Sequence, residues 1–277
     1  GQMTLRAGRS EFTLQTLPTE DFPQTDGGDL PHRFALPAAE LRGLVDRTRF
    51  AISTEETRYY LNGIFMHTTS SEGNDVMRTV ATDGHRLARV EMPVPQGAAG
   101  MPGIIIPRKT VNELRKLIDE ITDDIDIALS ETSVRFAFNN AVLTSKLIDG
   151  TFPDYERVIP TGNDKSLNVD CRSFAEAVDR VATISTEKSR AVKLAVAGNN
   201  LVLTASSPDN GTAREEISVD YDAAAIEIGF NARYLLDIAQ QIEGGEAEFI
   251  VADAASPTIV RDSADDSALY VLMPMRV

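Results

Sequence analysis

A domain-sized internal repeat constrains this chain more than any other feature. Val45-Asp46-Arg47, Ile52-Ser53-Thr54-Glu55 and Arg58 recur in the same order as Val178-Asp179-Arg180, Ile184-Ser185-Thr186-Glu187 and Arg190. The three blocks keep the same offset to within a single position, and that offset is nearly half the chain. So long a period marks a duplicated domain, not a solenoid, whose units run about 20–50 residues.

The two copies share one grammar. A short strand (Phe34–Leu36; Leu167–Val169) leads into a helix with apolar residues at helical spacing: Leu41, Leu44, Val45 and Thr48 in one copy, Phe174, Ala177, Val178 and Val181 in the other. Pro37 and Cys171–Ser173 mark the helix starts. Strands follow at Tyr60–His67, Met77–Ala81 and His85–Glu91, and at Val192–Ala197, Asn200–Ala205 and Glu215–Val219. Each copy then repeats the unit, with Ile104–Ile106 before a helix at Arg108–Ile118 and Ile226–Ile228 before a helix at Asn231–Gln241. The last strand ends the chain at Val271–Met273. The expected fold class is α+β: two tandem domains, each a duplicated strand–helix–strands unit with both helices on one face of curved sheets. The polar stretch Thr161–Lys165 divides a domain at 31–162 from one at 163–277. Residues 1–30 precede both. Met3, Leu5, Phe12 and Leu14 alternate with polar residues, so the chain opens inside strand material. A missing N-terminal part and an engineered or cleaved start both remain open.

Charge sets the next limit. The net charge of −15 argues against nucleic acid, because binding a polyanion depends on Lys and Arg releasing counterions. That objection weakens if the basic residues are segregated. Thirteen of the 27 lie on helices or the turns leaving them: Arg42, Arg47, Arg49, Arg58, Arg108, Lys109, Arg115, Lys116, Arg172, Arg180, Lys188, Arg190 and Arg233. Acids crowd Asp119–Asp126, Glu243–Glu248 and Asp262–Asp266. The bland reading is the wet face of any amphipathic helix. Recurrence at equivalent positions of the repeat favours a shared electrostatic role. The single cysteine, Cys171, neither staples the fold nor builds a cysteine-rich metal site, which reads as cytoplasmic. His32, His67 and His85 are too scattered to argue for a metal, and no run of apolar residues is long enough to span a membrane.

Four local strings carry candidate function. In Arg78–Ala88 a tight turn at Asp83-Gly84 joins two strands. Asp83 and His85 suggest an Asp–His–nucleophile set, but no third group accompanies them. A hairpin in which Asp83 accepts turn hydrogen bonds and His85 sits at the rim is the stronger reading. Tyr59 and Tyr60 beside Arg58 either stack on bases or alternate across a strand. Pro153–Val158 either walls a peptide groove or joins the domains as a strand. Tyr270–Val277 is apolar where chain ends are usually polar. Pro274 must leave any sheet, and Met273 and Met275 suit an adaptable apolar cleft; a packed edge-strand tail is the alternative.

Together these residues resemble the bacterial β sliding clamp family, the DNA polymerase III β subunits. The resemblance rests on Arg58–Gly63, Arg78–Ala88, Pro107–Lys109, Thr144–Leu147 with Phe152–Tyr155, Glu187-Lys188, Gly229–Asn231 and Met273–Arg276, and covers the whole chain. Gly8–Ser10 and Leu17-Pro18 are similar to the end of that family's first domain, making 1–30 its remnant. The resemblance implies a ring of two head-to-tail protomers with helices on the inner face around duplex DNA, held without sequence readout. It also implies no catalytic residues and no cofactor. Partners would be the polymerase III α subunit, the clamp loader and repair proteins, each docking a short peptide between the last two domains. Carried onto this chain, the cleft comprises Arg58, Leu61, Thr82, Gly84, His85, Arg86, Leu87, Pro153, Arg157, Val158, Asn231, Tyr234, Ala255, Pro257, Val271, Leu272, Met273, Pro274, Met275, Arg276 and Val277. The DNA-facing set is Arg47, Arg49, Tyr59, Tyr60, Arg108, Lys109, Arg180 and Lys188. Ala255 is small where a larger apolar residue occurs in the family, and Val277 stands where leucine is common. Two rivals are an adaptor that keeps the cleft without encircling DNA and an enzyme using Asp83 and His85.

Overall fold

The computed structural model describes residues 1–22, 28–185 and 190–276. Strands β1 (Gln2–Ala7) and β2 (Ser10–Gln15) form a hairpin whose Met3, Leu5, Phe12 and Leu14 are all exposed. Four units follow. The first is β3 (His32–Pro37), α1 (Ala38–Arg49), β4 (Gly63–Ser71), β5 (Asn74–Thr82) and β6 (Arg86–Pro93). The second is β7 (Ile104–Pro107), α2 (Arg108–Leu117), β8 (Asp124–Leu129), β9 (Ser133–Phe138) and β10 (Ala141–Lys146). The third is β11 (Lys165–Asp170), α3 (Cys171–Ala182), β12 (Ala191–Ala197), β13 (Asn200–Ser207) and β14 (Gly211–Ser218). The fourth is β15 (Ile226–Asn231), α4 (Ala232–Ala239), β16 (Glu246–Val251), β17 (Thr258–Asp262) and β18 (Asp265–Leu272). The expected strand–helix–strands unit therefore occurs twice in each copy, and every strand pairing is antiparallel.

Units interlock by exchanging their leading strands. β3 pairs with β8 and β7 with β4; in the second copy β11 pairs with β16 and β15 with β12. The helices pack pairwise, α1 on α2 and α3 on α4. Apolar spacing explains the buried stripe of α1, where Leu41, Leu44, Val45 and Thr48 are inside and Arg42, Arg47 and Arg49 are not.

Helix α3 begins at Cys171, as expected, and is capped by Asp170, whose carboxylate accepts the Ser173 N–H at 2.8 Å. Two local expectations need correction. Tyr59 and Tyr60 lie in a 3-10 turn, Glu56–Leu61, and not on a strand. That strand starts only at Gly63, where a β-carbon would meet the Ile106 carbonyl oxygen at 2.2 Å, so only glycine permits the approach of β7. Pro153–Val158 is likewise no strand; Tyr155–Val158 forms a second 3-10 turn.

β18 of the last unit pairs with β6 of the first, from Ala268 opposite Val90 to Leu272 opposite Arg86. This joins the two copies in one eight-stranded sheet, ordered β11-β16-β17-β18-β6-β5-β4-β7. Strand periodicity then sorts side chains between two cores. Met77, Ala81, Ala88, Val90, Tyr270 and Leu272 face the helices in the main core. On the same face, Thr79 Oγ1 donates to the Leu44 carbonyl of α1. Val80, Leu87, Leu269 and Val271 point to the opposite face and form a second core with Leu61, Ile105, Ile259, Phe152 and Tyr155.

Candidate functional site

The β6–β18 seam places the chain's C-terminal end on the opposite copy. Leu87 and Val271 are directly paired and both buried. Beyond Leu272 the Met273 N–H donates to the His85 carbonyl at 2.9 Å. Pro274 has no N–H to continue the ladder. The Met275 N–H donates instead to the Gly229 carbonyl at 2.8 Å, so the tail crosses to β15. Met273 stays 41% exposed, Pro274 and Met275 are half-buried, and Arg276 is exposed. Val277, part of the expected cleft, lies outside the described residues.

Around this tail the other cleft residues fall into groups. The Asp83-Gly84 turn forms as expected: Asp83 Oδ1 accepts the His85 and Arg86 N–H groups at 2.9 and 3.0 Å, and Gly84 has φ of +86°. Thr82 closes the same turn, its hydroxyl donating to the Arg86 carbonyl at 2.7 Å. A β-carbon on Gly84 would lie 2.7 Å from Arg58 Nη1, which brings Arg58 to the turn. His85 is exposed and stacks on Tyr234 of α4 at 6.3 Å between ring centres. Asn231 caps α4, accepting the Arg233 N–H at 2.9 Å. Thr258 pairs with Leu272, so Pro257 stands at the ladder end beside Met273, with exposed Ala255 two residues away. Leu61 lies in the second core, over which Pro153, Arg157 and Val158 are exposed on the segment carrying Phe152 and Tyr155.

Arg86 joins them from the helix side, lining one pocket at the seam with Asp83, His85 and Tyr234. Its side chain faces the helices, 8% exposed, and is bonded to Asp83, to Asp237 of α4 and to the Phe50 carbonyl. Its guanidinium lies 5.1 Å from the Phe50 ring centre and 4.4 Å from that of Tyr234. Arg86 is a brace between the copies, and Leu272 is likewise in the main core. With its carboxylate committed to the turn and to Arg86, Asp83 is unavailable as a catalytic partner for His85.

The basic set also divides. A groove of about 780 Å³ is lined by Arg49, Tyr59, Arg108, Lys109, Asn112 and Lys116, among others. Arg108 and Lys109 have no carboxylate partner among the described residues, and Tyr59 is 53% exposed. Tyr60 turns inward against the second core. Arg47 is held by Asp265 at 2.8 Å and Ser267 at 3.0 Å. Arg180 is held by Glu215, whose hydrogen bonds raise the pKa of the guanidinium and lower that of the carboxyl. Lys188 lies outside the described residues. Lys116 and Asn112 were missing from the expected DNA-facing set, although the spacing Arg108-Asn112-Lys116 puts all three on one helical face.

Comparison with known proteins agrees with this geometry. Residues 35–154 match the family described as DNA polymerase III beta subunit, central domain, and residues 156–276 its C-terminal domain. The chain is 55% identical to the beta sliding clamp of Caulobacter vibrioides and 40% identical to that of Escherichia coli, in each case over 100% of this chain and 74% of the relative. Among solved structures, a sliding clamp from Bartonella birtlesii, described as bound to griselimycin, superposes with TM-score 0.94 at 52% identity over 100% of this chain and 74% of that one. A DNA polymerase III subunit beta from Pseudomonas aeruginosa superposes with TM-score 0.91 at 38% identity, covering 100% and 75%.

Proposed function

The chain belongs to the beta sliding clamp family, and from that premise we propose that it tethers partner proteins to duplex DNA by encircling the DNA and docking their peptides at the β6–β18 seam. Membership makes it a DNA sliding clamp: a non-catalytic processivity factor of replication, with DNA, a polymerase and a second clamp protomer as its classes of partner. In the finer reading, residues 1–30 end a first clamp domain, 31–162 form the second and 163–277 the third, and the protein works in the cytoplasm as a homodimeric ring. Among the described residues no helix is long and apolar enough to cross a membrane.

One observation carries the cleft. The tail Met273–Met275, with two methionines of which one is 41% exposed, is bonded across the seam to the His85 carbonyl and within its own copy to that of Gly229. Exposed apolar side chains on such a scaffold suit short peptides with apolar anchors, from the polymerase α subunit, the clamp loader or repair proteins. The cleft then uses Arg58, Leu61, Thr82, Gly84, His85, Arg86, Leu87, Pro153, Arg157, Val158, Asn231, Tyr234, Ala255, Pro257, Val271 and Met273–Val277, with Leu272 packed in the main core beneath it. The DNA contact is the groove of Arg49, Tyr59, Arg108, Lys109 and Lys116, phosphate contacts without base readout being what sliding requires.

The test has two parts. Titration of griselimycin and of a labelled peptide with spaced leucine anchors against wild type and a 273–277 deletion should show binding lost in the deletion. Unchanged binding sinks the cleft. The full-length protein should be retained on circular DNA and lost from linear DNA; equal retention rejects encirclement. A second reading, a peptide-binding adaptor that does not encircle DNA, keeps the same cleft residues, and equal retention on circular and linear DNA with peptide binding intact would favour it.

A further inference from the structure

Beneath the proposed cleft wall lies a buried cation that belongs to neither the cleft residues nor the DNA-facing set. Arg78, on β5, is 4% exposed and points to the face away from the helices. Its Nε donates to Glu91 Oε2 on the neighbouring strand at 2.7 Å. Its Nη1 donates to the Tyr155 hydroxyl at 3.2 Å and to Glu156 Oε1 at 2.5 Å. The Tyr155 oxygen also lies 3.0 Å from His67 Nε2, while His67, Phe65 and Phe152 form a stack with ring centres 4.6 and 4.8 Å apart. One guanidinium thus ties two neighbouring sheet strands to the 3-10 turn Tyr155–Val158.

Phe152 and Tyr155 anchor the segment by burial in the second core, and this tie adds its polar fastening to the sheet. The segment after β10 is fastened at its ends: the Ile148 N–H donates to the Ile105 carbonyl, and the Asn163 side chain donates to the carbonyls of Ile250 and Pro257. Between Phe152 and Val158, among the described residues, no backbone N–H donates to the sheet. Tyr155 and Glu156 flank the exposed groups that would face a ligand, Pro153, Arg157 and Val158. The turn is four residues long, so the anchored Tyr155 and Glu156 are chain neighbours of Arg157 and Val158.

We infer that Arg78 is a positioning residue for partner binding: through Tyr155 and Glu156 it sets where Pro153, Arg157 and Val158 stand against the Met273–Met275 tail. The inference rests on the cleft reading above. The planar fork of arginine serves Glu91 and the turn together, whereas a lysine offers a single point charge. A purely structural role would lower stability and leave affinity and local exchange unchanged.

The test compares Tyr155→Phe, Arg78→Lys and Met275→Asp with wild type, using griselimycin titration, melting temperature and hydrogen–deuterium exchange. Tyr155→Phe keeps the ring in the core and removes only the hydroxyl. It should weaken griselimycin about five-fold and speed exchange at 153–159, with a fall of only a few degrees in melting temperature for the one lost hydrogen bond. Arg78→Lys should weaken binding further, on the order of twenty-fold, because a lysine cannot serve the partly buried Glu91 and the turn together. Wild-type affinity and exchange in both variants, while Met275→Asp abolishes binding, overturn the positioning role and leave the cleft standing. Wild-type affinity in Met275→Asp removes the cleft and this inference with it.

Discussion

The Met273 N–H donates to the carbonyl of His85 at 2.9 Å, the first contact of the tail after it leaves the eight-stranded sheet. One strand end and one turn, in different copies of the repeat, thus share a hydrogen bond at the seam between them. The tail is held there by backbone, and the Met273 side chain stays 41% exposed.

Met275→Asp is expected to weaken griselimycin and peptide binding at least ten-fold while changing unfolding stability by under about 0.5 kcal/mol, as substitutions outside a core do. Calorimetric titration beside urea unfolding checks both. A large loss of stability identifies the tail as structural.

Asp237→Asn should destabilise the chain by about 2 kcal/mol, less than breaking a fully buried ion pair costs. The Asp237 carboxylate faces the buried Arg86 guanidinium, which would lose one anionic partner. Removing one partner of a fully buried pair costs about 3–5 kcal/mol; the lower figure follows because Asp237 is 24% exposed and Arg86 keeps Asp83. Urea unfolding reads the difference, and a neutral result shows that Arg86 does not brace the seam.

Replacing Arg108 and Lys109 together by Ala should make the slope of log K against log salt for duplex DNA shallower by roughly 2, one counterion per lost phosphate contact. Arg180→Ala should change it little, since Glu215 already occupies that guanidinium. Fluorescence anisotropy over a salt series measures both. The reverse ranking moves the DNA contact to α3.

Acidification should loosen the Tyr155 turn. Burial holds the His67 pKa below its ordinary value; the Thr68 carbonyl opposes, Arg78 adds to the depression and Glu156 opposes again. Between the lowered pKa and the ordinary value of about 6.5, the unfolded chain binds more protons, so stability falls as pH drops through that window. His67→Gln, whose amide can still accept from Tyr155, should flatten this loss. Melting temperatures at two pH values on either side of the window decide it; equal losses in the two proteins assign the acid sensitivity elsewhere.

Much of this was legible before any coordinates. The repeat Val45–Arg58 against Val178–Arg190 specified the duplicated α+β units, and helical spacing marked the buried stripes of α1 and α3. The Asp83-Gly84 turn followed from its turn chemistry. Arg86 and Leu87 are neighbours on a strand, so their side chains leave it on opposite faces, Arg86 toward Tyr234 and Leu87 into the second core. The 3-10 turn at Tyr59-Tyr60 was not readable, because the strand that follows begins only where Gly63 pairs with Pro107 of the distant β7.

By itself the sequence determined the elements, the turns and the twofold repetition, since periodicity, glycine tolerance and proline's missing N–H act within a few residues. Only the tertiary structure decided that β18 would pair with β6, that Arg47 and Arg180 would be held by carboxylates, and that Arg78 would grip Tyr155 and Glu156. Those outcomes depend on which distant surfaces meet when two cores bury their apolar faces together, and no local pattern encodes a partner that lies tens of residues away along the chain.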